Sequence, residues 1–136
     1  MTAMGQFYVT ARLTGAAGRG ETIELLVDTG ATLLVVPQPL AFLLDLVPLR
    51  SQAVVLAGGA EEVWPVAEVR LALEGREATT PCFIAPAGPA LLGAVALESL
   101  FLAADPVAKR LVPVKGCAAR AQREPVASRR PASVAK

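Results

Sequence analysis

Apolar and polar positions alternate along much of the chain, and this period of two is typical of half-buried β-strands. Segments that contain glycine or proline separate the alternating runs, as turns do in a sheet. The pattern predicts strands over residues 7–13, 21–27, 33–36, 51–57, 63–73, 77–84 and 110–114. Helical spacing is clearest over 94–102, where Leu97, Leu100 and Phe101 fall on one face. Pro39 favours a further short helix over 39–44.

These elements predict a mostly β fold, either a closed barrel or a sandwich, with one short helix near the C-terminal end. Pro65 lies inside a predicted strand and indicates an edge or exposed strand, because proline has no N–H to donate to the ladder. Gly58-Gly59 lies between two predicted strands and indicates a hairpin turn. A long hairpin that projects from the body would satisfy both observations.

Composition and charge limit the classes of protein to which this chain can belong. The chain has 136 residues, which suits one domain, and only 4% of them are aromatic. This argues against a nucleic-acid module, which usually stacks bases on aromatic side chains among basic residues. Residues 1–114 hold seven basic and eleven acidic residues, whereas 115–136 hold six basic residues and one acid. We predict a domain over 1–114 and a basic, disordered tail over 115–136, solvated rather than bound to an anionic surface.

Several kinds of site are excluded by residue type. The chain has no histidine, which removes Ser–His and Cys–His catalysis and nearly every common zinc site. Cys82 and Cys117 are not spaced as a metal-binding pair, and we predict two reduced thiols. Residues 1–6 lack the features of a signal peptide, and prolines and polar residues interrupt the apolar stretch 31–49. We therefore expect a soluble, cytoplasmic protein without a metal site or membrane insertion.

The best candidate for chemistry is Asp28, in the segment Asp28-Thr29-Gly30-Ala31 directly after the apolar run 23–27. The two other aspartates, Asp45 and Asp105, do not lie on a glycine-containing turn after a buried strand. Amide hydrolysis without metal, serine or cysteine needs a base to activate water and an acid to protonate the leaving nitrogen. Two carboxylates that share one proton supply both. Because one chain offers one good carboxylate, a two-fold homodimer is the simplest source of the pair.

Three parts of the chain together resemble the retropepsin-like aspartic proteases, the single-domain family of retroviral type. Residues 26–32, followed by 33–36, resemble the active-site turn of that family. Leu91-Leu92-Gly93, continuing into 94–102, is similar to the apolar pair and glycine that open the family's C-terminal helix. The hairpin around Gly58-Gly59 falls where the family carries its flap, the mobile cover over a bound peptide. The resemblance spans residues 7–114 and implies a closed retropepsin-like β-barrel with a flap hairpin.

The resemblance also implies a function and a set of site residues. The chain would be a homodimeric aspartic endopeptidase in which two copies of Asp28 activate water, with no cofactor. The Thr29 hydroxyl would lock the two turns together, and Gly30 and Ala31 would contact a polypeptide substrate bound through its main chain. The other positions are the flap residues and the scaffold behind the turn, namely Gly58, Gly59 and Trp64 for the flap and Leu91, Leu92 and Gly93 for the scaffold.

The chain departs from the family at two positions. Viral members often carry an Asp and an Arg that form an ion pair, and the corresponding residues here are Thr32 and Ala94. Both partners are absent together, so no unpaired charge is left behind.

Two other functions stay open from the sequence. One is a catalytically silent domain of the same fold that dimerises or binds peptides, and the other is a protease active only transiently or after removal of the tail.

Overall fold

The alternating segments form nine β-strands in the part of the chain that the computed structural model describes, residues 6–116 and 118. Two short helices interrupt them. In chain order the elements are β1 (Tyr8–Thr14), β2 (Gly20–Val27), β3 (Leu34–Pro37), α1 (Gln38–Leu43), β4 (Arg50–Val55), β5 (Glu61–Leu73), β6 (Arg76–Ala85), β7 (Leu91–Leu92), α2 (Ala94–Ser99), β8 (Leu102–Asp105) and β9 (Arg110–Pro113).

Seven of the strands form one sheet in the order β1-β2-β7-β3-β6-β5-β4, and an additional pairing of β1 with β5 joins its two sides into a ring. The two-residue strand β7 lies between β2 and β3, parallel to the first and antiparallel to the second. The strand β3 also runs parallel to β6. The mostly β fold predicted from the sequence is therefore confirmed, and the closed pairing agrees with the barrel alternative.

The core lies inside this ring and is aliphatic. Every second side chain of the long strands points inward, and Leu13, Leu25, Leu71 and Leu92 are fully buried. Cys82 is buried among them as a free thiol, as predicted, and burial raises its pKa to about 12. The second predicted free thiol, Cys117, lies outside the described residues.

The hairpin of β4 and β5 extends beyond the ring, which agrees with the projecting hairpin expected from the sequence. Its turn is held by hydrogen bonds from Leu56 N to Ala60 O (2.7 Å) and from Gly59 N to Leu56 O (2.8 Å). Gly59 has a φ of 95°, a conformation that L side chains rarely adopt. Pro65 pairs with β4, and the ladder between β5 and β6 begins only at the next residue, Val66. Pro65 thus lies at the point where β5 leaves the closed ring of strands.

The C-terminal part differs from the prediction. The helix α2 ends at Ser99 rather than at residue 102, and Leu102–Asp105 forms β8, which pairs with β9. The apolar spacing of Leu97, Leu100 and Phe101 extends past the end of the helix because Phe101 takes a left-handed φ of 55°. Arg76 stabilises this ending by donating from Nη1 to the carbonyl oxygens of Leu100 (2.8 Å) and Phe101 (3.1 Å).

Three further predictions concern the C-terminal tail, membrane-spanning helices and the first short helix. Most of the predicted tail, 115–136, lies outside the described residues. Within the described part of the chain, none of the helices has the length and apolar character needed to cross a bilayer. The short α1 begins at Gln38 with a proline in its first turn, close to the start that Pro39 predicts.

Candidate active site

The Asp28 carboxylate stands at the end of β2 on a tight turn. The turn closes through a hydrogen bond from Ala31 N to Asp28 O (3.0 Å), and the carboxylate oxygen Oδ1 accepts from Gly30 N at 2.9 Å. A Cβ at position 30 would lie 3.2 Å from the same Oδ1, so a side chain there would crowd the carboxylate. Asp28 itself is partly buried, whereas Thr29 and Gly30 are exposed. The turn therefore presents one fixed carboxylate at the protein surface.

A second segment, Leu92–Val95, supports the turn from behind. Asp28 N donates to Leu92 O (3.0 Å), while the backbone N–H groups of Ala94 and Val95 donate to Ala31 O and Thr32 O, both at 2.9 Å. Gly93 lies so close to the backbone of residues 31–33 that a Cβ at this position would overlap Leu33 O and stand 2.6 Å from Ala31 O. The glycine in the Leu91-Leu92-Gly93 motif thus permits contact between two backbones.

The two other aspartates have structural partners elsewhere. Asp45 has a left-handed φ of 54° after α1 and forms an exposed ion pair with Arg19 at 3.5 Å. Asp105 accepts from the backbone N–H groups of Val107 and Ala108, both at 3.1 Å, and so closes the turn between β8 and β9. Within the described residues, no group of three or more His, Cys, Asp or Glu side chains is arranged to hold a metal ion.

A cleft of about 360 Å³ lies between the Asp28 turn and the hairpin of β4 and β5. Its floor is formed by Asp28, Gly30, Ala31 and neighbouring apolar side chains, and its cover by Val55, Leu56 and Ala57 at the outer end of β4. The cleft is mainly apolar apart from the carboxylate. Such a space suits an extended, apolar segment of chain brought against one acid group.

Trp64 forms one wall of this cleft. Its ring meets Phe83 edge-on, with centroids 5.9 Å apart and planes at 80°, and its Nε1 donates to Glu62 Oε1 at 2.8 Å. Both contacts fix the ring, so it presents a rigid face to the cleft. The same ring also lines a smaller neighbouring cavity of about 180 Å³, which includes Gln38 and Pro86.

Comparison with known proteins agrees with this geometry. A family model described as "gag-polyprotein putative aspartyl protease" matches residues 16–99, more than half of the chain. The chain belongs to this aspartyl protease family. No curated protein sequence matches the chain significantly. The comparison therefore rests on the family model and on the fold.

Two solved retroviral proteases share the fold of this family member. The EIAV protease, solved in complex with the inhibitor HBY-793, aligns with a TM-score of 0.58 and 18% identity over 74% of this chain and 92% of that one. The Simian Foamy Virus (mac) protease aligns with a TM-score of 0.50 and 23% identity over 68% of this chain and 92% of that one. The retropepsin-like identity predicted from the sequence motifs is thus confirmed at the level of family and fold.

Within the family fold, the predicted site residues fall into two groups. Asp28, Gly30, Ala31 and Trp64 line the cleft, and Thr29 is exposed on the turn beside them. Gly58 and Gly59 occupy the exposed tip of the hairpin, beyond the residues Val55, Leu56 and Ala57 that line the cleft. The structure therefore brings the turn and the tryptophan together and leaves the two tip glycines apart from them.

The cleft also contains apolar residues that sequence reasoning missed. Val35 and Phe83 line it, and Leu91, which the sequence assigned to the scaffold, lines it as well. The strand register explains why, because Leu91 is paired with Val35 and Val35 with Phe83, so the three side chains share one face of the sheet. Leu92 points to the opposite face and is fully buried. The sequence signal for this difference is that adjacent strand residues point to opposite faces of a sheet, so Leu91 and Leu92 could not both be scaffold on the same face.

Proposed function

We propose that the chain is an aspartic endopeptidase that acts as a homodimer, with one Asp28 from each copy forming the catalytic dyad. The observation that carries this proposal is the fixed, partly buried Asp28 carboxylate at the floor of an apolar cleft, one per protomer. The family and the fold support a protease, and the separate engagement of Asp45 and Asp105 leaves Asp28 as the carboxylate for the chemistry.

In the proposed mechanism, one of the two Asp28 carboxyls is ionised and the other is protonated, because two like charges in contact cannot both ionise easily. The ionised carboxylate removes a proton from water, and the water oxygen attacks the peptide carbonyl carbon. The protonated carboxyl donates to the carbonyl oxygen as negative charge develops there. When the C–N bond breaks, the carboxyl that took the water proton passes it to the leaving nitrogen. The other carboxylate takes back a proton from the hydroxyl group that becomes the new carbonyl oxygen, which regenerates the dyad.

The neighbouring residues have positioning roles in this proposal. The Gly30 N–H donates to Asp28 Oδ1 and fixes the orientation of the carboxyl, and the absence of a side chain at Gly30 and the small Ala31 leave room for substrate. Thr29, exposed on the turn, would hydrogen-bond with the turn of the second copy. The flap would cover an extended peptide and bind its main chain, with Gly58 and Gly59 giving the tip its conformation.

The apolar lining indicates the substrate class. Val35, Leu91 and Phe83 on the floor and Trp64 on the wall favour a polypeptide with large apolar side chains next to the cleaved bond. Water is the nucleophile, and no cofactor takes part in the proposed reaction.

The proposal is tested by a peptide-library cleavage assay on wild-type protein, Asp28→Asn and the matched control Asp45→Asn. Asp45 is an exposed residue outside the cleft, and asparagine tolerates its left-handed backbone. We expect Asp28→Asn to lose activity by about a thousandfold or more, while Asp45→Asn cleaves like wild type. A statine-type transition-state mimic should inhibit the wild type. Undiminished cleavage by Asp28→Asn would contradict the mechanism, and peptide binding without cleavage by the wild type would favour a silent binding module.

A further inference from the structure

The side chain of Arg76 joins the hairpin of β5 and β6 to the end of α2. Arg76 is the first residue of β6, directly after the turn at Glu74-Gly75. Its Nη1 donates to the carbonyl oxygens of Leu100 (2.8 Å) and Phe101 (3.1 Å). The last carbonyl groups of a helix have no partner within the helix, so a donor from outside satisfies them. Arg76 therefore closes the C-terminal end of α2 from a distant part of the sequence.

The positive charge of Arg76 is directed at this helix end. In the part of the chain that the structure describes, the ion pairs are Arg19–Asp45 and Arg70–Glu77, so no carboxylate pairs with Arg76. A cation near the C-terminal carbonyl groups of a helix is attracted by their partial negative charge. Arg76 is also half-buried, so salt screens this attraction less than it would at the surface. The guanidinium is thus bound to the helix rather than to a neighbouring acid.

The opposite end of the same helix holds the Asp28 turn. The backbone N–H groups of Ala94 and Val95 donate to Ala31 O and Thr32 O, both at 2.9 Å. The helix has six residues and is therefore about 9 Å long. One short helix lies between the guanidinium at one end and the catalytic turn at the other.

The helix has little freedom to move between these two contacts. Its side chains Ala96 and Leu97 are buried, as is Leu100 at its end. At its start, Gly93 leaves no room even for a Cβ against Leu33 O. Close-packed interiors are hardly compressible and transmit strain, so a shift at one end of the helix reaches the other end.

We infer that Arg76 is a positioning residue for the Asp28 carboxyl. It holds the carbonyl oxygens at the end of α2, and the first turn of the helix in turn holds the Asp28 turn. Arg76 does not line the cleft, so it acts through the helix and not on the substrate. A displacement of about 1 Å can cost about a hundredfold in rate, so a small shift of the turn is enough. The inference rests on the proposed function, in which Asp28 is the catalytic residue.

The first test compares kcat and KM of Arg76→Ala with those of the matched control Arg70→Ala. Arg70 is an exposed arginine on the same hairpin that contacts Glu77 and Thr79 instead of α2. Titration with a tight-binding statine-type inhibitor counts the folded active sites, so unfolded protein does not lower the kcat per site. We expect this kcat to fall about tenfold for Arg76→Ala with KM within about twofold, and Arg70→Ala to cleave like wild type. Wild-type kcat per site in Arg76→Ala would overturn the inference.

Arg76→Lys is the conservative variant. Lysine keeps the positive charge and can donate to the same carbonyl oxygens, but its flexible ammonium group holds them less rigidly than the planar guanidinium. We expect it to recover part of the activity, to a kcat about threefold below wild type. If Arg76→Ala does not fold, wild-type kcat in Arg76→Lys would overturn the inference.

Amide hydrogen exchange tests the same link without a substrate. The N–H groups of Ala94 and Val95 bind the turn, so their protection from exchange reports the contact between helix and turn. We expect both to exchange about tenfold faster in Arg76→Ala, while the ladder between β1 and β2 keeps the wild-type rates. Wild-type exchange at both amides would overturn the inference. Faster exchange, together with a wild type that cleaves no peptide, would refute the protease and keep the link between Arg76 and the turn.

Discussion

The backbone N–H of Ala94 donates a 2.9 Å hydrogen bond to the carbonyl oxygen of Ala31, which joins the first turn of α2 to the turn that holds Asp28. This bond connects two segments that are more than sixty residues apart in the sequence. It lies next to Gly93, whose missing side chain lets the two backbones meet. The position of the carboxylate therefore depends on the C-terminal helix as well as on β2.

Gly93→Ala should damage both stability and activity. The added methyl group would overlap Leu33 O and approach Ala31 O to 2.6 Å, and both obstacles are backbone atoms that cannot simply rotate away. We expect a loss of about 1–3 kcal/mol in the free energy of unfolding, measured by urea denaturation. Gly58→Ala is the matched control, because a Cβ there meets nothing within 4 Å. Equal stability of the two variants would contradict the close contact.

Trp64→Ala should lower kcat/KM for peptides with large apolar residues by about tenfold, because it removes one wall of the cleft. Glu62→Gln serves as its control, since the amide oxygen can still accept from Trp64 Nε1. Steady-state kinetics on one apolar peptide and one small-residue peptide would compare the variants. A uniform loss on both peptides would show that the tryptophan does not select the substrate.

Cys82 should make the protein less stable at alkaline pH. Burial raises its pKa from 9.0 to about 12 in the folded protein, so between these values the unfolded chain loses its thiol proton while the folded chain keeps it. Stability is complete below pH 9 and falls as the pH rises toward 12, by about 1.4 kcal/mol at pH 10. Denaturant titrations of Cys117→Ser and of Cys117→Ser with Cys82→Ala should show this slope only in the first. The same slope in both would contradict it.

A chain that ends after Ala118 should dimerise and cleave at about the wild-type rate, because every residue that lines the cleft lies before that point. Sedimentation velocity and the peptide assay on the shortened chain check this. A large change in activity in either direction would give the segment that follows a role in regulation.

The sequence predicted most strands and the Asp28 turn because their signals are local. Alternation defined β1, β2 and β6, and the small residues after Asp28 indicated the turn. The strand β9 was predicted, whereas β8 was missed because the apolar spacing that ends at Phe101 is the same for a helix and for a left-handed residue after one. Pairings between distant strands, such as β3 with β6, leave no local pattern, so the cleft positions of Val35 and Phe83 could not be foreseen.

The central claim, that each protomer supplies half of a catalytic site, is tested most directly by mixing wild-type protein with Asp28→Asn at a fixed total concentration and measuring cleavage. If the dyad forms across a dimer and mixed dimers are inactive, activity falls with the square of the wild-type fraction, to about a quarter in an equal mixture. Once the subunits have exchanged fully, a linear fall, to about one half in the same mixture, would show that each copy of Asp28 acts alone and would contradict the account.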